Sequence, residues 1–540
     1  MSTASSTGRR YDVLVLGSGL PASVLAAVLA RAGVEVGIVA EGTHPRFAAG
    51  ETAVPYASTL FRALGLRYGL PELVALDGFE STYEEVSRSV GKSPGLGFVH
   101  HSADGEGSAD GDLLCLAGPR SHPSAALYRQ DVDAYLFYTA VRHGAEARQL
   151  ANVESVQFSD DGVVVSTSRG ETFSADYLVD AGGRDSALMK QLGIESREGS
   201  GAGPSTRVLH THMTGVRPFA GAAGDDADAG YGPLHHLFDG GCLRVTPFGN
   251  HKGAPNQLSS VELVLNAERF PRTDEQPEAE FRSVLRHVPS AEGRFENAVA
   301  VQLWRAPEPH QYVRPVTVGD RWCAIGETPG YDDHFMSDAL IRDLHVVDAL
   351  AARLLEAVPA KDFSAGAFEE IGELDRRLRE SGADFASLFW PALQDGLLAR
   401  AVLHVRQLGM FHSAVKLRHA CGELERSGDA VRIALPLPAT LPGDGQLPGY
   451  QELFAAAAAE CQAVQKDGAD PREAARRIFE LIEGSPLTPP RTGFGDPDAR
   501  LLGVSGANAD AVSKWAQRHA PAGAEAYLQA ATDDLASGRI

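Results

Sequence analysis

A chain of 540 residues, 44% hydrophobic and 22% charged, has the balance of an ordinary soluble globular protein and is long enough for more than one domain. Its net charge of −22 disfavours nucleic acid and anionic membrane surfaces as partners. The start shows no signal peptide, no stretch approaches the roughly 20 apolar residues of a membrane span, and the five scattered cysteines form no C-x-x-C; no metal or disulfide framework is expected, and a reducing cytoplasm is.

The first element is the most informative. Asp12 to Leu16 is an apolar, β-branched run that reads as a buried parallel strand. Gly17-Ser18-Gly19-Leu20-Pro21-Ala22 follows, then an alanine-rich helix to Ala32 and a second strand from Val34 to Val39, closed by Glu41. This is the βαβ dinucleotide fingerprint in its G-x-G-x-x-A form. Gly17 permits the tight turn, Gly19 lets the backbone approach a pyrophosphate, and Ala22 lets helix and strand pack closely. The helix N-terminus offers free N–H groups to an anion, and Glu41 stands where a carboxylate accepts from a ribose.

Further along lies "SVGKSPGLGFVHH", Ser89 to His101, with one lysine, Lys92, in a glycine-rich turn before a strand. It reads either as a surface lysine or as a catalytic one. "YRQDVDAYLFYTAVRHGAE" is an amphipathic helix opening with Arg129. "VESVQFSDDGVVVSTSRGETFSADYLVD" alternates and carries turn signals, so antiparallel hairpins are expected, forming part of a substrate-side sheet. Its last strand ends at Asp180, before Gly182-Gly183. "LHHLFDGGCLRVTPFGNHKGAPNQLSSVELVLN" adds strands to the same sheet. The histidines of each pair, His100/His101 and His235/His236, face opposite sides of a strand, so one of each pair is expected toward a pocket. "GDRWCAIGETPGYDDHFMSDALIRDLHVVDAL" is a strand, a turn at Gly326-Glu327 and a helix. Two polar, glycine-rich segments, from Ser102 and from Ala220, read as mobile loops. From about Pro359 the chain turns helical, with a proline-rich linker from Leu435. The division expected is residues 1–358 as a nucleotide and substrate-sheet module, and 359–540 as a helical extension or lid.

The segments at Arg129, Asp180 and Gly326-Glu327 resemble, in order, the FAD-contacting segments of the glutathione-reductase-type flavoprotein monooxygenases. That resemblance implies bound FAD, with Arg129 near the flavin and Glu327 at the ribitol position, where the group usually has aspartate. "HPRFAAGETAVPYASTLFRALGLRYGLPELVALDGF", "GPLHHLFDGGCLRVTPFGNHK" and "VGDRWCAIGETPGYDDHFMSDAL" are more specific. They resemble the flavin-dependent halogenases, especially the group acting on phenols and carrier-bound pyrroles. The fold implied is α/β: a FAD-binding Rossmann-like domain with an antiparallel β-sheet substrate domain and a helical C-terminal extension. In that family reduced FAD and O₂ generate an oxidant for halide, and a lysine after the "GES/GET" segment activates the hypohalous acid. The resemblance also implies a separate flavin reductase, a small-molecule substrate that is free or carrier-bound, and Glu51 of "GET" near the flavin edge.

Three departures accompany it. The family's W-x-W-x-I-P segment is here Cys242 to Pro247, with Arg244 either meeting an acidic substrate or pointing to solvent. Its F-x-x-P-x-x-S-x-G motif is Tyr331 to Ala339, keeping Ser337 but adding Asp332, Asp333 and Asp338 where halide binds. These carboxylates either repel halide or face solvent at a helix start. His334 replaces the proline and is a candidate acid–base group. Counted back from Gly97-Phe98, the family lysine falls on Ser93, leaving Lys92 one residue early; a bulge near Pro94 would restore it. The catalytic candidates are therefore Lys92, Ser93, His334 and Glu51, and the substrate or halide region is His236, Arg244, Ser337, Asp338 and Ala339. The expected activity is oxygenation or dehydrogenation of a small aromatic or polyketide-like metabolite, with true halogenation and a non-redox FAD- or carrier-binding role as alternatives.

Overall fold

The computed structural model describes residues 9–102, 114–117, 122–199, 203–219, 232–307, 311–332, 338–427, 434–441 and 447–536. Most of the two glycine-rich loops, together with Asp333, His334 and Ser337, lies outside them. The strands used below are β1 (Arg10–Leu16), β2 (Val36–Val39), β3 (Gly91–Ser93), β4 (Gly95–His101), β5 (Leu114–Ala117), β6 (Ser124–Ala126), β7 (Glu146–Arg148), β8 (Val153–Ser159), β9 (Gly162–Thr167), β10 (Thr172–Asp180), β11 (Arg197–Glu198), β12 (Thr206–Thr214), β13 (Leu234–Phe238), β14 (Gly241–Pro247) and β15 (Ser259–Asn266).

The first sheet has a parallel centre in the order Trp322–Ala324, β10, β1, β2, β7. Its central strands carry almost only aliphatic residues because both faces are buried, one under helices such as Leu20–Arg31 and the other with the β8–β9 hairpin and the short helix Ala187–Gln191. Helix α1 (Leu20–Arg31) is buried from Leu20 to Ala30 except Pro21, as its alanines require for close approach. The hairpin β8–β9 joins this sheet by pairing with β10. It was expected in the substrate sheet; β10 decides otherwise, since one strand forms the hairpin edge and ends at the nucleotide turn.

The second sheet runs Val299–Ala300, β12, β15, β14, β13, β4, β5, Leu501–Leu502. It is mostly antiparallel, but β4 and β13 pair in parallel because they come from separate excursions of the chain. One face packs Leu209, Leu243, Val245, Val261 and Leu263 against the helix Pro277–Val284 and its neighbours, forming a separate core. The other face carries the polar residues His210, His212, Arg244, Thr246, Ser260 and Glu262, which share it by register. The sheet's last pairing, Leu501–Leu502 with β5, comes from the C-terminal region.

The helix Asp338–Ala360 runs through position 358, and the largest apolar core draws on both sides of it, from Val13 to Leu502. The long helix Gly396–Arg426 packs on the helix Pro55–Tyr68 of the first module.

Candidate active site

The nucleotide turn is built by crowding. Gly17 has φ +103°, and a Cβ there would lie 2.3 Å from the Ala181 carbonyl oxygen. Only glycine fits such a position. Gly19 caps α1, and the nearest foreign side chain to its absent Cβ is Arg46, at 3.7 Å. Ala22 is fully buried under the turn, while Glu41 is exposed just beyond β2.

Two distant motifs close on this turn. Gly326, at φ +66°, lies against Pro21 of α1, and the Ile325 N–H donates to the Asp180 carbonyl at 2.9 Å. Asp180 is buried, accepting from the Gly182 N–H at 2.9 Å and from the Ser186 hydroxyl, and burial raises its carboxyl above the usual range. Glu327 is solvent-exposed yet deeply enclosed, as expected of a group lining a cleft. Desolvation and then Asp343 push its carboxyl up against Arg342, Arg129 and Arg184. Arg129 lies over the start of "GET": its Nη1 donates to the Ala49 carbonyl at 2.6 Å, and Asp133 holds it bidentately at 2.6 and 3.0 Å. A buried bidentate carboxylate fixes a guanidinium plane, which suits recognition of a planar polar ligand. A glycine turn at a helix N-terminus, an arginine above it and an enclosed carboxylate fit a dinucleotide, with Gly17, Gly19, Ala22, Arg129 and Glu327 around it.

Glu51 is 3% exposed and turned toward the second sheet. His212 Nε2 donates to its two oxygens, at 3.0 and 2.9 Å, and His210 Nε2 lies 3.9 Å away. Burial lowers the His210 imidazole to about 4. From there a polar row crosses the sheet: His210 pairs with Glu262, Glu262 with Arg244, and Arg244 with His235. The Arg244 guanidinium is largely buried and lies 3.3 Å from Glu262. His236, expected beside Arg244, leaves the opposite face. It hydrogen-bonds His101 at 3.1 Å and Arg294 at 2.9 Å, and burial holds it well below the usual imidazole range.

Lys92 and Ser93 belong to β3, which pairs with β6 and not with the sheet of β4. The chain changes sheets at Pro94, so the register counted back from Gly97 does not carry into β3. Gly91 and Ser93 share a face: a Cβ on Gly91 would lie 2.2 Å from the Pro247 carbonyl oxygen, and Ser93 is 3% exposed. Lys92 leaves the other face and is half-buried. Its ammonium makes no hydrogen bond or ion pair among the described residues, whereas its backbone is clamped by Asn250. Lys92 N–H donates to Asn250 Oδ1 at 2.8 Å, and Asn250 Nδ2 donates to the Lys92 carbonyl at 2.6 Å.

Two of the three acids of the Tyr331 to Ala339 segment meet arginines of the helical region. Asp332 lies 3.3 Å from Arg379, and Asp338 pairs with Arg406. Burial pushes both carboxyls up and the arginines pull them back. Ala339 follows in the first turn of the same helix. Neither Asp332 nor Asp338 faces solvent unpaired, although Arg379 is held more closely by Asp375, at 2.8 and 3.2 Å. Sequence reasoning missed Arg379, Arg406, Asn250, His210 and His212. Only the H-x-H spacing of the last two was visible along the chain.

Residues 10–229 match the family model described as a FAD binding domain. The protein is a FAD-binding oxidoreductase of mixed α/β fold. It is 34% identical over 535 residues to monodechloroaminopyrrolnitrin halogenase PrnC of Pseudomonas fluorescens, covering 96% of this chain and 94% of that one. It is 32% identical to tetracycline 7-halogenase of Kitasatospora aureofaciens, covering 95% and 93%. The crystal structure of halogenase PltM in complex with phloroglucinol and FAD superposes with a TM-score of 0.83 at 30% identity, covering 91% of this chain and 99% of that one. The chain belongs to the flavin-dependent halogenase family and binds FAD. Among the described residues no helix is long and apolar enough to cross a membrane.

Proposed function

We propose that this enzyme halogenates an electron-rich aromatic carbon of a small molecule, with Lys92 as the activating amine. The observation that carries the reading is the pairing of Asp332 with Arg379 and Asp338 with Arg406. Asp338 has a guanidinium beside it and Asp332 shares Arg379 with Asp375, so the electrostatic case against a halide site weakens at these two positions. The break at Pro94 removes the second objection, because Lys92 need not follow the register of β4. Likeness to halogenases over nearly the whole chain points the same way. Oxygenation or dehydrogenation, expected from the altered motifs, gives way to halogenation.

When bound, reduced FAD with O₂ supplies the two-electron oxidant that turns halide into an electrophilic halogen species; a separate reductase is the proposed source of reduced flavin. The chain's own residues do the rest. Arg129, fixed by Asp133 and the Ala49 carbonyl, and Glu327 orient the cofactor. The Lys92 ammonium, free of any carboxylate among the described residues, donates a hydrogen bond to the oxygen of hypohalous acid. Halogen then passes to the ring carbon, that carbon loses its proton, and water leaves. Asn250 holds the Lys92 backbone while the side chain acts.

The test supplies a reductase, O₂, and chloride or bromide with a phenolic substrate, either free or carrier-bound. Halogenated product is expected, retained in Ser93→Ala and lost in Lys92→Ala with flavin oxidation intact. Hydroxylated product alone, or unchanged halogenation in Lys92→Ala, would refute the reading.

A further inference from the structure

Glu51, His210 and His212 come from distant parts of the sequence, yet their ligand atoms all lie within 4.8 Å of one another. All three are buried, at 3, 3 and 0% exposure. We propose that they form a binding site for one divalent transition-metal ion, zinc by preference, tying the "GET" turn to the second sheet.

The donor set is the two-imidazole, one-carboxylate combination that zinc and its neighbours accept with further positions left open. His210 and His212 are two apart on one strand, so both rings leave the same face. Glu51 meets them from the "GET" turn, outside that sheet. Bonds of about 2.0–2.2 Å at tetrahedral angles place ligand atoms roughly 3.3 Å apart. The distances from Glu51 to His212 and His210, 2.9 and 3.9 Å, straddle that value.

Surrounding groups favour fixed rings. Phe47 stacks on His210 at 4.8 Å and meets His212 edge-on at 4.7 Å, while Tyr128 and Phe248 flank His212 at 5.6 and 5.8 Å. His212 Nδ1 is buried with no hydrogen-bond partner. An ion at Nε2 takes the place of the proton shared with Glu51, and His210 gives up its 3.1 Å bond to Ser260 Oγ. Two cations stand near. Arg244 lies beside Glu262, and Arg305 lies over the Phe47 ring at 4.4 Å. The Glu51 carboxylate supplies the site's negative charge.

The experiment uses the full-length, FAD-loaded protein after chelator treatment, titrated with Co²⁺ and then Zn²⁺. One Co²⁺ per chain is expected, with ligand-field bands to the red of the flavin spectrum that Zn²⁺ abolishes. His210→Phe keeps the ring on Phe47 and is expected to lose the bands while still taking up FAD. Glu51→Gln is expected to weaken Co²⁺ by at least tenfold, and surface His419→Ala to leave binding unchanged. Absence of saturable binding by the unmutated protein would overturn the proposal, as would bands that persist in His210→Phe. If His210→Phe fails to fold, His210→Gln supplies the same comparison.

Discussion

Asn250 is the most informative single position to change, because it touches the Lys92 backbone and not the amine. Asn250→Ala removes two hydrogen bonds, of 2.8 and 2.6 Å, that together form a closed ring with residue 92. At about 0.5–1.5 kcal/mol each, the loss is about 1–3 kcal/mol in holding Lys92. With a tenfold change for each 1.4 kcal/mol, the positioned fraction falls by roughly 5- to 150-fold. The assay measures halogenated product formed per reduced flavin consumed. That ratio is expected to fall within this range, while FAD affinity changes by no more than about twofold, as for a substitution outside the cofactor site. Asn250→Asp keeps the acceptor for the Lys92 N–H but loses the donor to its carbonyl, so an intermediate ratio is expected. An unchanged ratio in Asn250→Ala would refute the positioning argument. An equal loss of FAD affinity would also refute it, by showing that Asn250 supports the cofactor fold instead.

Arg406→Leu leaves Asp338 buried without its partner and is expected to destabilise the FAD-bound protein by about 3–5 kcal/mol, with part of the loss recovered in the Asp338→Asn, Arg406→Leu double variant; thermal unfolding of the four proteins measures this. Asp176 gives an acid-sensitive contact. Burial pushes its carboxyl up, but hydrogen bonds to Lys361 and Arg10 outweigh this and leave it below the usual range. A depressed carboxyl contributes stability above its unfolded value of about 3.9, lost as pH falls through the lower folded value. Thermal midpoints followed downward from pH 5 are therefore expected to fall less steeply in Asp176→Asn. The difference should shrink with added salt, since Arg10 and Lys361 are largely exposed.

Local signals were legible and distant compensation was not. The βαβ turn could be read because every requirement falls between Asp12 and Glu41, each with its own steric reason. The hairpin β8–β9 was recognised as a hairpin but assigned to the wrong sheet, since strand periodicity carries no information on which sheet a strand joins. The acids at 332 and 338 looked hostile to halide because their arginines stand 47 and 68 residues further on, in another module. Glu51 was identified without its histidines, which lie 161 residues from it at the nearest contact. The strand count at Lys92 failed for a different reason. It assumed one continuous strand, where Pro94 separates two strands belonging to different sheets.

The arginines that answer Asp332 and Asp338 have a consequence for chimeras. Each buried acid depends on a guanidinium of the helical region, so the two segments are coupled electrostatically. A chimera that grafts a relative's extension onto this chain inherits orphaned acids at once, whereas exchanging the acidic segment and the extension together preserves charge balance. The extension is therefore an electrostatic complement of that acidic segment.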